Sequence, residues 1–282
     1  LNTDWANIQR FAEAKEGDDW APALEKAFQS GFKTIYFPES VSVRRTVHLR
    51  GPVQRLIGTC NNTIRWHDDI RKAMRERFKA AGEQNLDQRA KEPPAVIFDE
   101  ENPDRVVMIE RMSITGLKHA SPATLVIRHG NPEWYSNAPG CGKLFMEDTE
   151  ANCFRFDHPQ QVWVRQWNPE AHQAGPCIVS RGASIWALGF KTEYTSSKLW
   201  AFDGAQTEIY GAFIYPIGKI PPDRPIFKNE DSRMSVQYGT SVYRANHKTH
   251  IIDTRDGKTV NVGNDRLIWS GSRARMDLYV SP

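Results

Sequence analysis

The segment Trp163-Val164-Arg165-Gln166-Trp167-Asn168-Pro169-Glu170 returns as Trp186-Ala187-Leu188-Gly189-Phe190-Lys191-Thr192-Glu193, at a constant offset of 23 residues. A β-rich period in the low twenties, with turn residues between the copies, is what one coil of a parallel β-solenoid requires. Thr207-Glu208-Ile209-Tyr210-Gly211-Ala212-Phe213 continues the series at an offset of 22, which brings Gly189 over Gly211. Leu144 to Asp148 and Arg233 to Tyr238 extend the ladder on either side.

Successive side chains of a strand point to opposite faces, so one residue of known orientation orients its whole strand. Arg165 serves, because a long cation has no place inside a narrow solenoid without a partner in register. Strict alternation then turns Val162, Val164 and Gln166 inward, above Ile185, Ala187 and Gly189, above Thr207, Ile209 and Gly211. The outward set becomes Trp163, Arg165 and Trp167, then Trp186, Leu188 and Phe190, then Glu208, Tyr210 and Ala212. With coils about 4.8 Å apart, these rings form an aromatic strip. Sugar rings stack on such a strip by their apolar faces while Arg165, Glu208, Glu170 and Glu193 bond the hydroxyls. The alternative is that a loop or helix covers the strip and makes it a second core.

Upstream, Pro22 opens a short amphipathic helix from Ala21 to Gln29, stopped by Gly31. Three β-rich runs follow at Lys33 to Pro38, Ser42 to Leu49 and Val53 to Ile57. Within residues 68–92, Ile70, Ala73, Met74, Arg77, Phe78 and Ala81 recur at helical spacing in a basic stretch, which predicts an inserted helix. That helix is either a lid over a groove or a solvated helix packed on one flank.

The order Gly17-Asp18-Asp19, helix, Thr34-Ile35-Tyr36-Phe37-Pro38, then a strand pair ending Arg55-Leu56-Ile57-Gly58-Thr59, resembles the N-terminal part of pectate-lyase-like β-helix families. The full GDG turn is absent, and Glu39-Ser40-Val41-Ser42-Val43 replaces the usual Pro-Gly-x-Tyr. The resemblance implies an all-β fold, a single-stranded right-handed parallel β-helix forming one domain over residues 1–282. Residues 1–31 would be its N-terminal cap and residues 68–92 its inserted helical segment. It also implies a secreted or extracytoplasmic protein with a polysaccharide partner, either alone or as part of a larger multidomain carbohydrate-active enzyme.

Composition narrows the partner. The 37 basic and 34 acidic residues leave a formal charge of +3, too little to gather nucleic acid or a polyanion by net field alone. A neutral plant cell-wall glycan such as xylan fits better. No run approaches the roughly 18 apolar residues of a membrane span, and the first residues lack the apolar stretch of a signal peptide, so neither membrane nor leader is expected. Cys60, Cys141, Cys153 and Cys177 are too far apart for a CxxC motif, and no metal site is expected. Cys153 and Cys177, 24 residues apart, fall on adjacent coils as buried thiols or as a disulfide.

For chemistry, Glu170 and Glu193 are the candidate pair, since glycoside hydrolysis needs two carboxyl groups about 5 to 9.5 Å apart, one protonated and one ionised. Pairing with Lys191 and Arg165 is the bland alternative. A lyase would need a base such as Lys191 or Arg165 and Ca2+ held by several carboxylates, and no coil carries that cluster. The Asn-x-Asp, Asp-Asp, Gly-His-Gly and Arg-x-Lys series of polygalacturonase-type hydrolases is missing, and His129, His158 and His172 stand isolated. Recognisable aromatics therefore outnumber recognisable catalytic groups. The expected function is carbohydrate binding without a cofactor, through Trp163, Arg165, Trp167, Trp186, Phe190, Glu208 and Tyr210. The alternatives are a hydrolase or lyase using Glu170 and Glu193 and, last, a structural β-helix of the tailspike kind.

Overall fold

The computed structural model describes residues 4–80, 91–171, 175–242 and 245–282, which divide into two compact units with the boundary between Phe145 and Met146. Both units are all-β and built of parallel coils, the β-solenoid that the repeat requires.

The first unit opens with β1 (Trp5–Asn7) and α1 (Ala21–Gln29), which occupies the span expected of the capping helix. Asp19 starts this helix: its carboxylate accepts the Ala21 N–H at 2.9 Å and the Arg44 N–H at 2.9 Å, fastening the helix to a turn between strands. The helix buries Ala21, Ala23, Leu24, Ala27 and Phe28, its apolar stripe. Short strands β2 (Thr34–Tyr36), β3 (Val41–Val43) and β4 (Val47–Leu49) precede the long β5 (Arg55–Trp66). After it come β6 (Val96–Phe98), β7 (Val106–Ile114), β8 (Leu117–His119), β9 (Thr124–Arg128) and β10 (Trp134–Asn137). Strands β1, β2, β5, β7 and β9 pair in parallel as one sheet. Strands β4, β6, β8 and β10 pair in parallel as another. Strand β5 runs nine residues beyond the expected end at Ile57, with an irregular stretch between Ile57 and Asn62 that sequence alternation does not announce.

The inserted helix is α2 (Asp68–Ala80), and it buries no side chain. It is therefore a solvated helix rather than a core element. Residues 81–90 of the expected segment, Ala81 included, lie outside the described residues.

In the second unit, the ladder carrying the repeat runs through β11 (Leu144–Ala151), β13 (Gln161–Pro169), β15 (Ser184–Glu193), β17 (Gln206–Tyr215) and β19 (Arg233–Ser241). A second sheet holds β12 (Cys153–Phe156), β14 (Pro176–Arg181), β16 (Ser197–Phe202), β18 (Phe227–Glu230) and β20 (Thr249–Arg255). Trp163 pairs with Trp186, and Ile185 with Thr207, which are the expected offsets. Phe154 pairs with Ile178, so Cys153 and Cys177 stand side by side, both buried and neither in a disulfide. Beyond the coils, β21 (Lys258–Gly263) pairs antiparallel with β20. Likewise β23 (Arg273–Val280) pairs antiparallel with β19 and with the short β22 (Ile268–Ser270). Among the described residues, no helix is long and apolar enough to cross a membrane.

Strict alternation fails at one place in each repeat strand. Gln166, Gly189 and Gly211 take φ of 58°, 77° and 67°, the left-handed region, and all three face outward rather than into the coil. Two successive residues thereby face solvent, and every later residue changes side. Val162 and Val164 remain inside as expected, as do Ile185 and Ala187, and Thr207 and Ile209. Trp167, Phe190 and Ala212, expected on the outside, are buried at 0%, 1% and 6% exposure. Trp167 meets Phe154 edge to face at 4.9 Å and Phe190 at 5.8 Å, an internal aromatic stack.

Trp167→Ala should therefore lower unfolding free energy by about 3 to 5 kcal/mol in chemical denaturation, whereas Trp163→Ala should cost less than about 1 kcal/mol. In the first unit, His119 is wholly buried between the Tyr135 hydroxyl at 3.2 Å and the Ala123 carbonyl at 3.1 Å. Burial lowers its pKa from 6.5 to about 4, so below pH 6.5 the unfolded chain takes up a proton that the folded one refuses. Stability should fall as pH drops through that window, and His119→Gln should flatten the decline in a pH series of melts.

Candidate functional site

The exposed face of β13, β15 and β17 carries the candidate site. Ahead of the left-handed residue, Trp163 and Trp186 are half-exposed, and their rings stack at 5.2 Å with 16° between planes. Arg165 and Glu208 are exposed, Leu188 is 63% exposed, and half-buried Tyr210 shares a 2.8 Å hydrogen bond with Ser235. Of the seven residues expected to bind sugar, the structure puts Trp163, Arg165, Trp186, Glu208 and Tyr210 on this face. Trp167 and Phe190 are core residues and leave the set, because the bend at Gln166 and Gly189 turns them inward.

Two coplanar indoles with centres 5.2 Å apart would overlap, so the planes of Trp163 and Trp186 are offset and each ring covers part of the other. The pair forms a ladder of rings rather than a flat platform.

Past the bend, the outward residues are of another kind. Lys191 Nζ donates to Glu170 at 2.7 Å and to Glu193 at 2.6 Å, so the two expected catalytic carboxylates are brought together by the lysine between them. Burial works against the Lys191 ammonium, but the two carboxylate bonds outweigh it and hold its pKa above the ordinary lysine value. On the next strand, Phe213 pairs with Lys191 and Tyr215 with Glu193, and the two rings lie parallel at 6.5 Å. Phe213 is 39% exposed, so an aromatic pair adjoins the charged trio.

Sequence reasoning missed three members of this neighbourhood. Phe213 occupies the Lys191 position one repeat later, a signal that the period already contained. Glu150, on β11, has its pKa raised, first by loss of solvent and then by the negative charge of Glu170, with Lys191 acting in the opposite sense. Lys198 is completely buried and donates to the carbonyls of Glu193 at 2.5 Å and Tyr194 at 3.3 Å, and to Ser196 Oγ at 3.4 Å. Burial lowers its pKa to about 8. It staples the turn in which Tyr194 takes φ of 64°, and nothing in the sequence distinguishes it from a surface lysine.

Among the described residues, no group of three His, Cys, Asp or Glu is placed to hold a metal ion, and His172 lies outside those residues. Lys191→Met should raise the Glu150 pKa further by removing the nearby positive charge, which a carboxyl NMR titration reads directly. An unchanged Glu150 titration would separate that carboxyl from the trio. No known protein family, curated protein or solved structure matches this chain.

Proposed function

We propose that this β-solenoid is a carbohydrate-binding protein of the pectate-lyase-like kind, engaging an extended neutral polysaccharide such as xylan along the exposed face of β13, β15 and β17. The observation that carries this reading is the half-exposed Trp163 and Trp186 stack, flanked on its own face by Arg165 and Glu208. Aromatic rings beside hydrogen-bonding groups suit a sugar, whose C–H faces seek apolar contact while its hydroxyls seek donors and acceptors. Strands that repeat the same face coil after coil suit a polymer better than a small molecule.

A second reading, glycosidic cleavage, is favoured by one observation, a carboxyl group pushed towards its protonated form beside others. The Glu150 pKa is raised by loss of solvent and by the negative charge of Glu170, while Glu170 and Glu193 both accept from Lys191. Acid–base cleavage needs a protonated carboxyl as well as an ionised one, so in this reading Glu150 replaces Glu193 as the acid partner of Glu170.

The two readings separate on gels containing xylan, β-glucan, mannan, pectate or alginate, run beside assays for new reducing or unsaturated ends. Binding predicts retention on a neutral glycan without product. Trp163→Ala or Trp186→Ala should weaken that retention about tenfold, equivalent to about 1.4 kcal/mol, with Glu170→Gln and Glu193→Gln near wild type. Product formation that disappears in Glu150→Gln or Glu170→Gln would replace the binding reading with the enzymatic one.

A further inference from the structure

Two nucleophilic side chains of the second unit take no part in either reading. Phe154 pairs with Ile178 and Arg155 with Val179, so Cys153, one position ahead, stands opposite Cys177 on the neighbouring coil. Pro176 pairs with Ser197 and Ile178 with Leu199, which sets Lys198 opposite Cys177 in turn. Cys153, Cys177 and Lys198 thus form one row across three coils, and all three are 0% exposed.

Residues in register on parallel strands point to the same side, with Cα atoms about 4.8 Å apart. A disulfide spans Cα separations of roughly 4.4 to 6.8 Å. The backbone ladder therefore already holds the two cysteines within disulfide reach. Their surroundings are also more polar than those of an ordinary core cysteine. Cys177 Sγ lies 3.1 Å from Ser196 Oγ, which Lys198 Nζ contacts at 3.4 Å. Burial raises the Cys177 thiol pKa, while Lys198, the Ser196 hydroxyl and Arg155 act against it. The other two cysteines, Cys60 and Cys141, belong to the first unit, so each member of the pair has the other as its one cysteine neighbour in this ladder.

We propose that Cys153 and Cys177 are an oxidisable pair that a low-molecular-weight disulfide such as oxidised glutathione converts into an inter-coil disulfide, locking the coil that carries β13. One thiol, as its thiolate, attacks the small disulfide and expels one thiol molecule. The second cysteine then attacks the mixed disulfide, expels another, and leaves one Sγ–Sγ bond. Two protons and two electrons leave the protein, and the oxidant is reduced to two thiols. The closed loop runs from residue 153 to residue 177 and contains Trp163 and Arg165. The pair does not rest on the neutral-glycan reading.

The test compares the full chain refolded in reduced and in oxidised glutathione, then alkylated, digested and mapped by mass spectrometry, beside thermal melts of the same samples. The oxidised sample should yield a crosslinked Cys153 and Cys177 peptide. Its melting midpoint should lie about 5 to 10 °C higher, because the crosslink closes a loop in the unfolded chain. Cys153→Ala and Cys177→Ala should each abolish the crosslink and the shift, whereas Cys60→Ser/Cys141→Ser should keep both. Folded, reduced protein moved into the oxidised buffer should crosslink at least tenfold more slowly than refolding protein, since burial shields both thiols until the coil opens. Peptide mapping of the wild type decides the question by itself should an alanine variant fail to fold. Glutathione carried on Cys153 or Cys177 in place of the crosslink, or both cysteines recovered as alkylated thiols after oxidative refolding, overturns the proposal. A crosslink with no rise in the melting midpoint overturns the locking of the coil. Trp163→Ala should crosslink as the wild type does, so failure of the pair and failure of the aromatic face are read separately.

Discussion

Evenly spaced hydrogen bonds between parallel strands tie each coil of the second unit to the next, and the exposed face depends on that register. Trp163 meets Trp186, Trp186 meets Glu208, and Arg165 meets Leu188 and then Tyr210 because the backbone ladder allows no other pairing once the inward residues are fixed. A slip of one residue would exchange the inside for the outside along the strand. The buried Val162, Ile185 and Thr207 column and the Val164, Ala187 and Ile209 column resist such a slip. Packing that binds no ligand thus decides which side chains are available to one.

The architecture was legible because it is periodic. The 23-residue offset between Trp163 and Trp186 fixed both the parallel pairing and the partners, and the Pro22 helix with its Gly31 stop was readable from local signals alone. The face was only half legible. Alternation from Arg165 placed Trp163, Trp186, Glu208 and Tyr210 correctly, and it failed beyond the bend because backbone handedness is invisible in a pattern of apolar and polar residues. Gly189 over Gly211 was the available clue, since stacked glycines within strands mark a backbone that leaves ordinary β geometry. Gln166 in the same conformation concealed it. A Cβ built on Gly189 would lie 2.5 Å from Gln166 Oε1, so the glycine is also what makes room for the glutamine of the neighbouring coil.

Charge shows the same division between what averages reveal and what placement reveals. Nearly equal numbers of acids and bases describe the whole chain, yet between Arg71 and Lys79 α2 carries five Lys and Arg residues against Glu76. In the second unit the balance runs the other way. One lysine, Lys191, answers two glutamates, and the trio keeps an excess negative charge beside Glu150. Near-neutral composition is compatible with both patches because it sums over distances far longer than the roughly 8 Å screening length of physiological salt.

The left-handed bend therefore does more than move two aromatics into the core. It divides each repeat strand into two outward segments of different chemistry. Before it lie Trp163, Arg165, Trp186 and Leu188. After it lie Lys191 and Phe213, with Glu193 and Tyr215 at the strand ends. Without the bend, Trp167 and Phe190 would continue the aromatic surface across the strand, and Lys191 would face the inside of the coil, where an ammonium finds little solvent. By burying Trp167 and Phe190, the same residues that reverse the alternation give the core large aromatic side chains, Trp167 the largest of those fully buried, and free the far end of the strand for charge. Stability and surface chemistry are set together by one backbone conformation, and a substitution at Gly189 that forced β geometry would disturb both.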